Sequence, residues 1–190
     1  MTFRYAIIPT PIGDAVSAFS GEGLVALRIA PEPEWALESV SRELRGALLP
    51  DDGSDAAEEL AAQLEAYFAG ERRRFDVALD WRLVAGFTRE ALEAVREIPY
   101  GATAAYGEVA AMAGRPRAAR AVGTACRTTP YSLVVPVHRV VRADGTIGGY
   151  GGDEDVKRFL IELEQDALAP GRVPHPGVDH RSDGAAGSRE

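Results

Sequence analysis

The 190-residue chain has one cysteine, Cys126, and three histidines, His138, His175 and His180. An intramolecular disulfide and a multi-cysteine zinc site are thereby excluded, and a metal centre is not expected from so few soft ligands. Long hydrophobic runs are missing too: no apolar stretch reaches the roughly 18 to 20 residues a membrane span requires. The first residues do not place a basic segment before an apolar one, as a secretory signal would. A soluble, cytoplasmic protein without a membrane partner is the expectation. Aromatic residues make up only 7% of the chain, but apolar residues reach 46%. A chain of this size can bury the core of one large domain or of two small ones.

Excess positive charge is also lacking. The formal net charge of −8 by itself counts against a nucleic-acid partner, because duplex binding relies on neutralising phosphates with Lys and Arg. Its distribution changes the picture. Residues 1–85 carry 8 basic and 15 acidic side chains, whereas residues 96–142 carry seven arginines (Arg96, Arg115, Arg117, Arg120, Arg127, Arg139 and Arg142) against Glu97 and Glu108 alone, a local balance of +5. Every basic residue of that segment is an arginine, the type best suited to bidentate contact with phosphates and bases. Charge alone leaves a solvated surface equally open.

Apolar runs at Tyr5 to Ile8, Ala15 to Phe19 and Leu24 to Ile29, separated by Pro11-Ile12-Gly13-Asp14 and Ser20-Gly21-Glu22-Gly23, predict a hairpin or three-stranded meander. Helical spacing of Trp35, Leu37, Val40, Leu44 and Leu48, and then of Leu60, Leu64 and Phe68, predicts two helices parted by residues 51–55. Alternation over Phe75, Val77, Leu79 and Trp81 predicts another strand. The first half is therefore α+β. A helix over Phe87 to Ile98, with Thr88 as N-cap and Pro99-Tyr100-Gly101 as its stop, opens a second domain. Short helices over Tyr106 to Ala113 and Ala118 to Arg127, joined at Gly114-Arg115-Pro116, form the pattern of a helix-turn-helix whose second helix would be the reader. A turn at Arg142-Ala143-Asp144-Gly145 and a glycine-rich run precede a last helix, Asp153 to about Leu168, with Val156, Phe159, Leu160 and Leu163 on one face. Residues from Pro170 onward have almost no apolar content and predict a disordered tail that includes His175 and His180. The expected domains are residues 1–85, residues 86–168 and a tail over residues 169–190.

Several ordered motifs, Tyr100-Gly101, Ala105-Tyr106-Gly107, Arg117-Ala118-Ala119-Arg120-Ala121-Val122-Gly123, Pro136-Val137-His138-Arg139-Val140-Val141, Asp144-Gly145 and Gly149-Tyr150, together resemble the O6-alkylguanine-DNA alkyltransferase family. The likeness runs without a gap from about Phe87 to Glu164 and more weakly through Thr10-Pro11-Ile12-Gly13, Gly23-Leu24 and Tyr67-Phe68-Ala69-Gly70. It implies a ribonuclease H-like α+β domain followed by a winged helix-turn-helix-like DNA-binding domain. In that family a Pro-Cys-His-Arg-Val motif supplies a thiolate that takes the alkyl group from a flipped guanine, and no cofactor is implied. Here Val137 stands at the nucleophile position, with His138 and Glu164 matching the histidine and carboxylate that activate the thiol. Cys126 reads as a packing group.

The resemblance further implies that Tyr106 presses on the target phosphate and that Arg120 fills the space left by the extruded base. Arg117, Arg127 and Arg139 would join Tyr106 and Arg120 in contacting DNA, and Tyr106, Val137, Val140, Tyr150 and Gly151 would line the lesion pocket. Structural readings, a core tyrosine and a surface arginine, stand beside these. Thr129 replaces an asparagine that braces the active-site turn, and Ala105 replaces a small hydroxyl residue, so a looser loop is expected. Because valine has no nucleophilic atom, the sequence leads to the expectation of a monomeric non-enzyme. Such an alkyltransferase-like protein would bind and flip O6-alkylguanine in double-stranded DNA and pass it to nucleotide excision repair proteins. The alternatives are an alkyltransferase captured as a Cys-to-Val variant, and a general DNA-binding or regulatory module that does not flip bases.

Overall fold

The computed structural model describes residues 2–51, 53–148 and 154–169. The predicted meander is present as β1 (Thr2–Thr10), β2 (Gly13–Ser20) and β3 (Gly23–Ala30), antiparallel throughout, with Ile7 opposite Val16 and Ser17 opposite Leu27. Helix α1 (Pro33–Leu44) is shorter than its periodicity suggested, because Arg45 turns into the left-handed region at φ 50°. The chain beyond it, with Leu48, becomes a strand instead: β4 (Ala47–Pro50) pairs parallel to β1 and completes a sheet of order β3-β2-β1-β4. Helix α2 (Asp55–Phe68) starts at Ser54, whose hydroxyl accepts from Ala57 N at 3.3 Å and is itself tied to Asp51 at 2.6 Å.

The strand expected over Phe75 to Leu83 does not form. Its alternation is real, since Phe75 is buried and Asp76 exposed. Yet the segment meets β3 only at an isolated bridge between Leu24 and Leu79, and residues Trp81–Leu83 coil into a 3-10 turn. Alternate burial along a sheet edge mimics a strand without a continuous ladder. Gly23 makes this docking possible: its φ is 141°, and a Cβ there would overlap the carbonyl oxygen of Ala78, which accepts from Leu24 N at 2.8 Å.

In the second half, α3 (Gly86–Arg96) begins before Thr88, so Thr88 lies inside the first turn and no side chain caps the helix. α4 (Tyr106–Met112) and α5 (Ala119–Thr128) form the helix-turn-helix, with Gly114 in the turn at φ 74°. Ala105 offers α4 no side-chain cap; Glu108 reaches back to accept from Ala105 N at 2.6 Å. β5 (Ala104–Ala105) and β6 (Val140–Val141) pair in parallel, and α6 (Glu154–Asp166) closes the described chain. One apolar cluster joins Val122 and Ala125 of α5 to Leu92 and Val95 of α3 and to Val137. A second cluster joins the sheet and α2 to Leu133, Val134, Leu160 and Leu163, so the two halves share a core. They are also laced by backbone bonds from Leu27 N to Pro130 O (2.7 Å) and from Ser132 N to Leu27 O (2.9 Å), and by the Tyr131 hydroxyl on Asp80 O (2.6 Å). Among the described residues no helix is long and apolar enough to cross a membrane.

Replacing Gly23 with Ala adds both a positive-φ penalty and a clash with Ala78. The expected outcome is a loss of about 1 to 3 kcal/mol in urea unfolding. An unchanged midpoint would show that the 78–80 segment is free to move away.

Candidate functional site

Helix α6 turns Leu160, Leu163 and Glu164 to the same buried side, and Glu164 is 1% exposed. A carboxylate placed there must be met by donors. It meets five: Oε1 accepts from Tyr67 Oη (2.8 Å), His138 Nε2 (2.9 Å) and Arg139 Nη2 (2.8 Å), and Oε2 from Arg139 Nε (2.9 Å) and Gly101 N (2.9 Å). Burial works to raise the Glu164 pKa, but the hydrogen bonds and charges of His138 and Arg139 hold it down to about 2. Arg139 places its remaining donor, Nη1, on Ile98 O at 2.7 Å and is 7% exposed. The sequence assignment of Arg139 to a DNA contact is therefore corrected. Its guanidinium faces inward, because the buried carboxylate demands a fork of two parallel donors.

His138 is fully buried, and burial lowers its pKa first of all. The ring is neutral near pH 7. With the Nε2 hydrogen directed at Glu164, Nδ1 is left as an acceptor, and it has no partner among the described residues. Tyr67, which sequence reasoning did not select, also lies 3.4 Å from His138 Nε2, and burial pushes its phenol well above the usual value. The weak motif Tyr67-Phe68-Ala69-Gly70 held the signal.

Val137 is 3% exposed and begins the 3-10 turn Val137–Arg139. The approach to this turn is tightly folded: Val137 N donates to Val135 O across Pro136 (φ −80°, ψ 62°), and Val134 N donates to Ser132 O across Leu133, whose φ is 63°. The first is an inverse γ-turn, and the second has the rarer, strained hand. Leu133 is held there by burial and by the bonds of its neighbours to Leu27. Thr129 is buried, and its hydroxyl accepts from Tyr131 N at 3.2 Å, so the position keeps one brace where a looser loop was expected. Val140 is also buried. Its carbonyl accepts from Lys157 Nζ at 2.5 Å, leaving one lone pair for another donor. Lys157, a second residue the sequence reading missed, is 1% exposed, and its ammonium lies 6.0 Å from the Tyr106 ring centroid.

Tyr106 opens α4, half-buried, with its ring against Gly123 and its hydroxyl against Gly148. A Cβ at Gly148 would come within 2.6 Å of that hydroxyl. Burial raises the Tyr106 phenol pKa. Arg117, Arg120 and Arg127 are exposed on the turn and on α5, and none has a carboxylate partner among the described residues. A cavity of about 450 Å³ opens at Arg115, Pro116, Arg117 and Ala118. Cys126 is half-buried, and burial drives its thiol up to about 12. A protonated packing group results, as the sequence suggested. Tyr150, Gly151 and the residues from Pro170 onward lie outside the described residues.

An α+β domain tied through Tyr67 to a buried histidine–glutamate pair in a helix-turn-helix half defines a two-domain protein with a candidate acid–base pair beside a candidate DNA-reading helix. The chain belongs to the 6-O-methylguanine DNA methyltransferase family. That family's ribonuclease-like domain matches residues 3–81, and its DNA-binding domain matches residues 86–166. The chain is similar to methylated-DNA–protein-cysteine methyltransferase of Mycobacterium tuberculosis (strain ATCC 25618 / H37Rv), with 43% identity over 162 residues, 85% of this chain and 92% of that protein. The enzyme of the same name from Methanosarcina acetivorans is 39% identical, covering 84% and 97%. Among solved structures, that of Mycobacterium tuberculosis OGT in complex with DNA is 40% identical with a TM-score of 0.74, covering 90% of this chain and 96% of that one.

These relatives correct the expectation of a non-enzyme: proteins matching nearly the whole of both halves carry the name of a methyltransferase. The physical reason is that family membership is carried by the fold of both halves, which a single side chain at position 137 leaves in place. The class of protein is carried by the remaining fold and relay.

The relay makes stability depend on acid. Glu164 is unprotonated in the fold down to about pH 2 but takes up protons near 4.5 when unfolded. Its contribution is thus complete above pH 4.5 and lost as pH falls toward 2, roughly 3 kcal/mol over that window. His138, with its folded pKa lowered below 6.5, adds a loss of the same sign that starts as pH drops below 6.5. Urea midpoints measured from pH 7 to 2 should follow this course. Glu164→Gln should flatten the lower part while costing about 3 to 5 kcal/mol at pH 7, since it strands Arg139.

Proposed function

We propose that this chain is an O6-alkylguanine-DNA alkyltransferase represented by a Cys-to-Val variant at position 137, directed at double-stranded DNA that carries an alkylated guanine. Residues 1–85 serve as the structural domain and residues 86–168 as the DNA-binding one. In this reading α5 enters the groove, Arg117 and Arg127 hold phosphates, Tyr106 presses on the target phosphate, and Arg120 fills the gap left by the flipped base. Tyr106, Val137 and Val140 line the lesion pocket.

The observation that carries the reading is the unpartnered Nδ1 of His138, buried on the residue next to position 137. Leaving a buried acceptor unsatisfied costs roughly 1 to 3 kcal/mol. A proton-accepting role accounts for that cost. With a cysteine at 137, Nδ1 takes the thiol proton, directly or through one water, and Glu164 stabilises the imidazolium. The thiolate then attacks the alkyl carbon: an S–C bond forms, the C–O6 bond breaks, and the guanine leaves with the proton. The enzymes named among the relatives support the same reading.

Val137→Cys, made in a Cys126→Ser background, is expected to accept radiolabelled methyl from duplex O6-methylguanine stoichiometrically. Failure of a folded variant to become labelled overturns the proposal. Base flipping has its own test in Arg120→Ala. Gel-shift titrations should show a larger loss of affinity for O6-methylguanine duplex than for plain duplex, whereas equal losses would point to a backbone-only binder.

A further inference from the structure

Four arginines line one narrow cleft behind the 3-10 turn: Arg73 and Arg74 from the loop after α2, Arg96 from the end of α3, and Arg139, with Phe75 and Pro136 among the walls. No residue of α4, α5 or the 115–118 turn contributes, so the cleft is separate from the surface assigned to DNA above. Arg139 has its donors on Glu164 and Ile98, and neighbouring Arg72 is paired with Asp76 at 3.0 Å. Arg73, Arg74 and Arg96 have no carboxylate partner among the described residues. This concentration stands out in a chain of net charge −8 whose first 85 residues hold 15 acidic side chains. Like charges gathered without a counter-charge repel one another, and an anion relieves that repulsion.

The size of the cleft narrows the ligand. Its volume is about 30 Å³, the space of about one water molecule. An organic ring does not enter, whereas one oxygen of a small anion does, leaving the rest of the anion at the mouth beside the exposed Arg73 and Arg74. Arginines supplied by two separate elements, the loop after α2 and the end of α3, suit a tetrahedral phosphate better than a planar carboxylate, which a single fork satisfies.

We propose that this cleft is a phosphate-binding site, occupied either by a free phosphate ion or by a backbone phosphate of a DNA segment other than the one beneath α5. The test uses the full chain and an Arg73→Gln/Arg96→Gln variant, with melting by circular dichroism confirming that both are folded. In the first arm, inorganic phosphate is titrated at constant ionic strength while arginine side-chain NMR signals are followed. Saturable shifts at Arg74, Arg96 and Arg139 of the full chain, with the Arg74 and Arg139 responses weakened about tenfold or more in the variant, support a free-phosphate site. In the second arm, the salt dependence of plain-duplex binding is measured. A slope of log K against log salt that is shallower in the variant by about 1 to 2 supports a backbone-phosphate site. Absence of both responses overturns the proposal. Either response is read without any alkyl transfer, so it is independent of the chemistry at position 137.

Discussion

Glu164 is the constraint on which the rest of the architecture depends. A carboxylate at 1% exposure is tolerable only if its lone pairs are met, and the five donors that meet it come from three separate parts of the chain: α2, the stop after α3, and the 3-10 turn with His138 and Arg139. Each donor fixes the element that carries it. Tyr67 ties the first domain to the relay, Gly101 N anchors the turn that leads to β5, and Arg139 extends the hold to the end of α3 through Ile98 O. Removing any one of these leaves charge or polarity buried without compensation, so the network functions as a unit.

The approach to position 137 is held just as firmly. The edge of β3 takes up Pro130 and Ser132 by backbone bonds, Tyr131 reaches Asp80 O, and the chain then passes through two three-residue turns before Val137. Strain at Leu133 is sustained because Pro130 and Ser132 just before it are fastened to Leu27 of the first domain and Leu133 itself is buried. The acidic first half thus has a clear structural task, which is to set the geometry of a turn belonging to the second half.

Position 137 joins the chemistry to the family. Its neighbour is a histidine with one nitrogen locked to a low-pKa carboxylate and the other buried without a partner among the described residues. The relatives, similar over both halves, are named as cysteine methyltransferases. Val137 belongs to the same apolar cluster as Val122 and Ala125, with Tyr106 packed against it, so the turn is anchored by its own side chain.

Local features were legible in the sequence because they follow from periodicity and punctuation. The meander, α2, α4, α5 and α6 each repeat their apolar positions within a few residues, and ordered motifs brought Val137, His138 and Glu164 together by resemblance. What the sequence could not decide was direction and partnership. Arg139 looked like one more arginine of a basic segment, and only the fold turned it toward a carboxylate 25 positions away. Tyr67 lies 97 positions from Glu164, and Lys157 lies 17 from the carbonyl it satisfies. The strand at β4 was settled likewise by the β1 edge it pairs with, and the failed strand after Phe75 by meeting the β3 edge at Leu24 alone. Periodicity tells which side of an element is buried; the partner it meets there depends on how distant segments pack, and that was decided by tertiary structure alone.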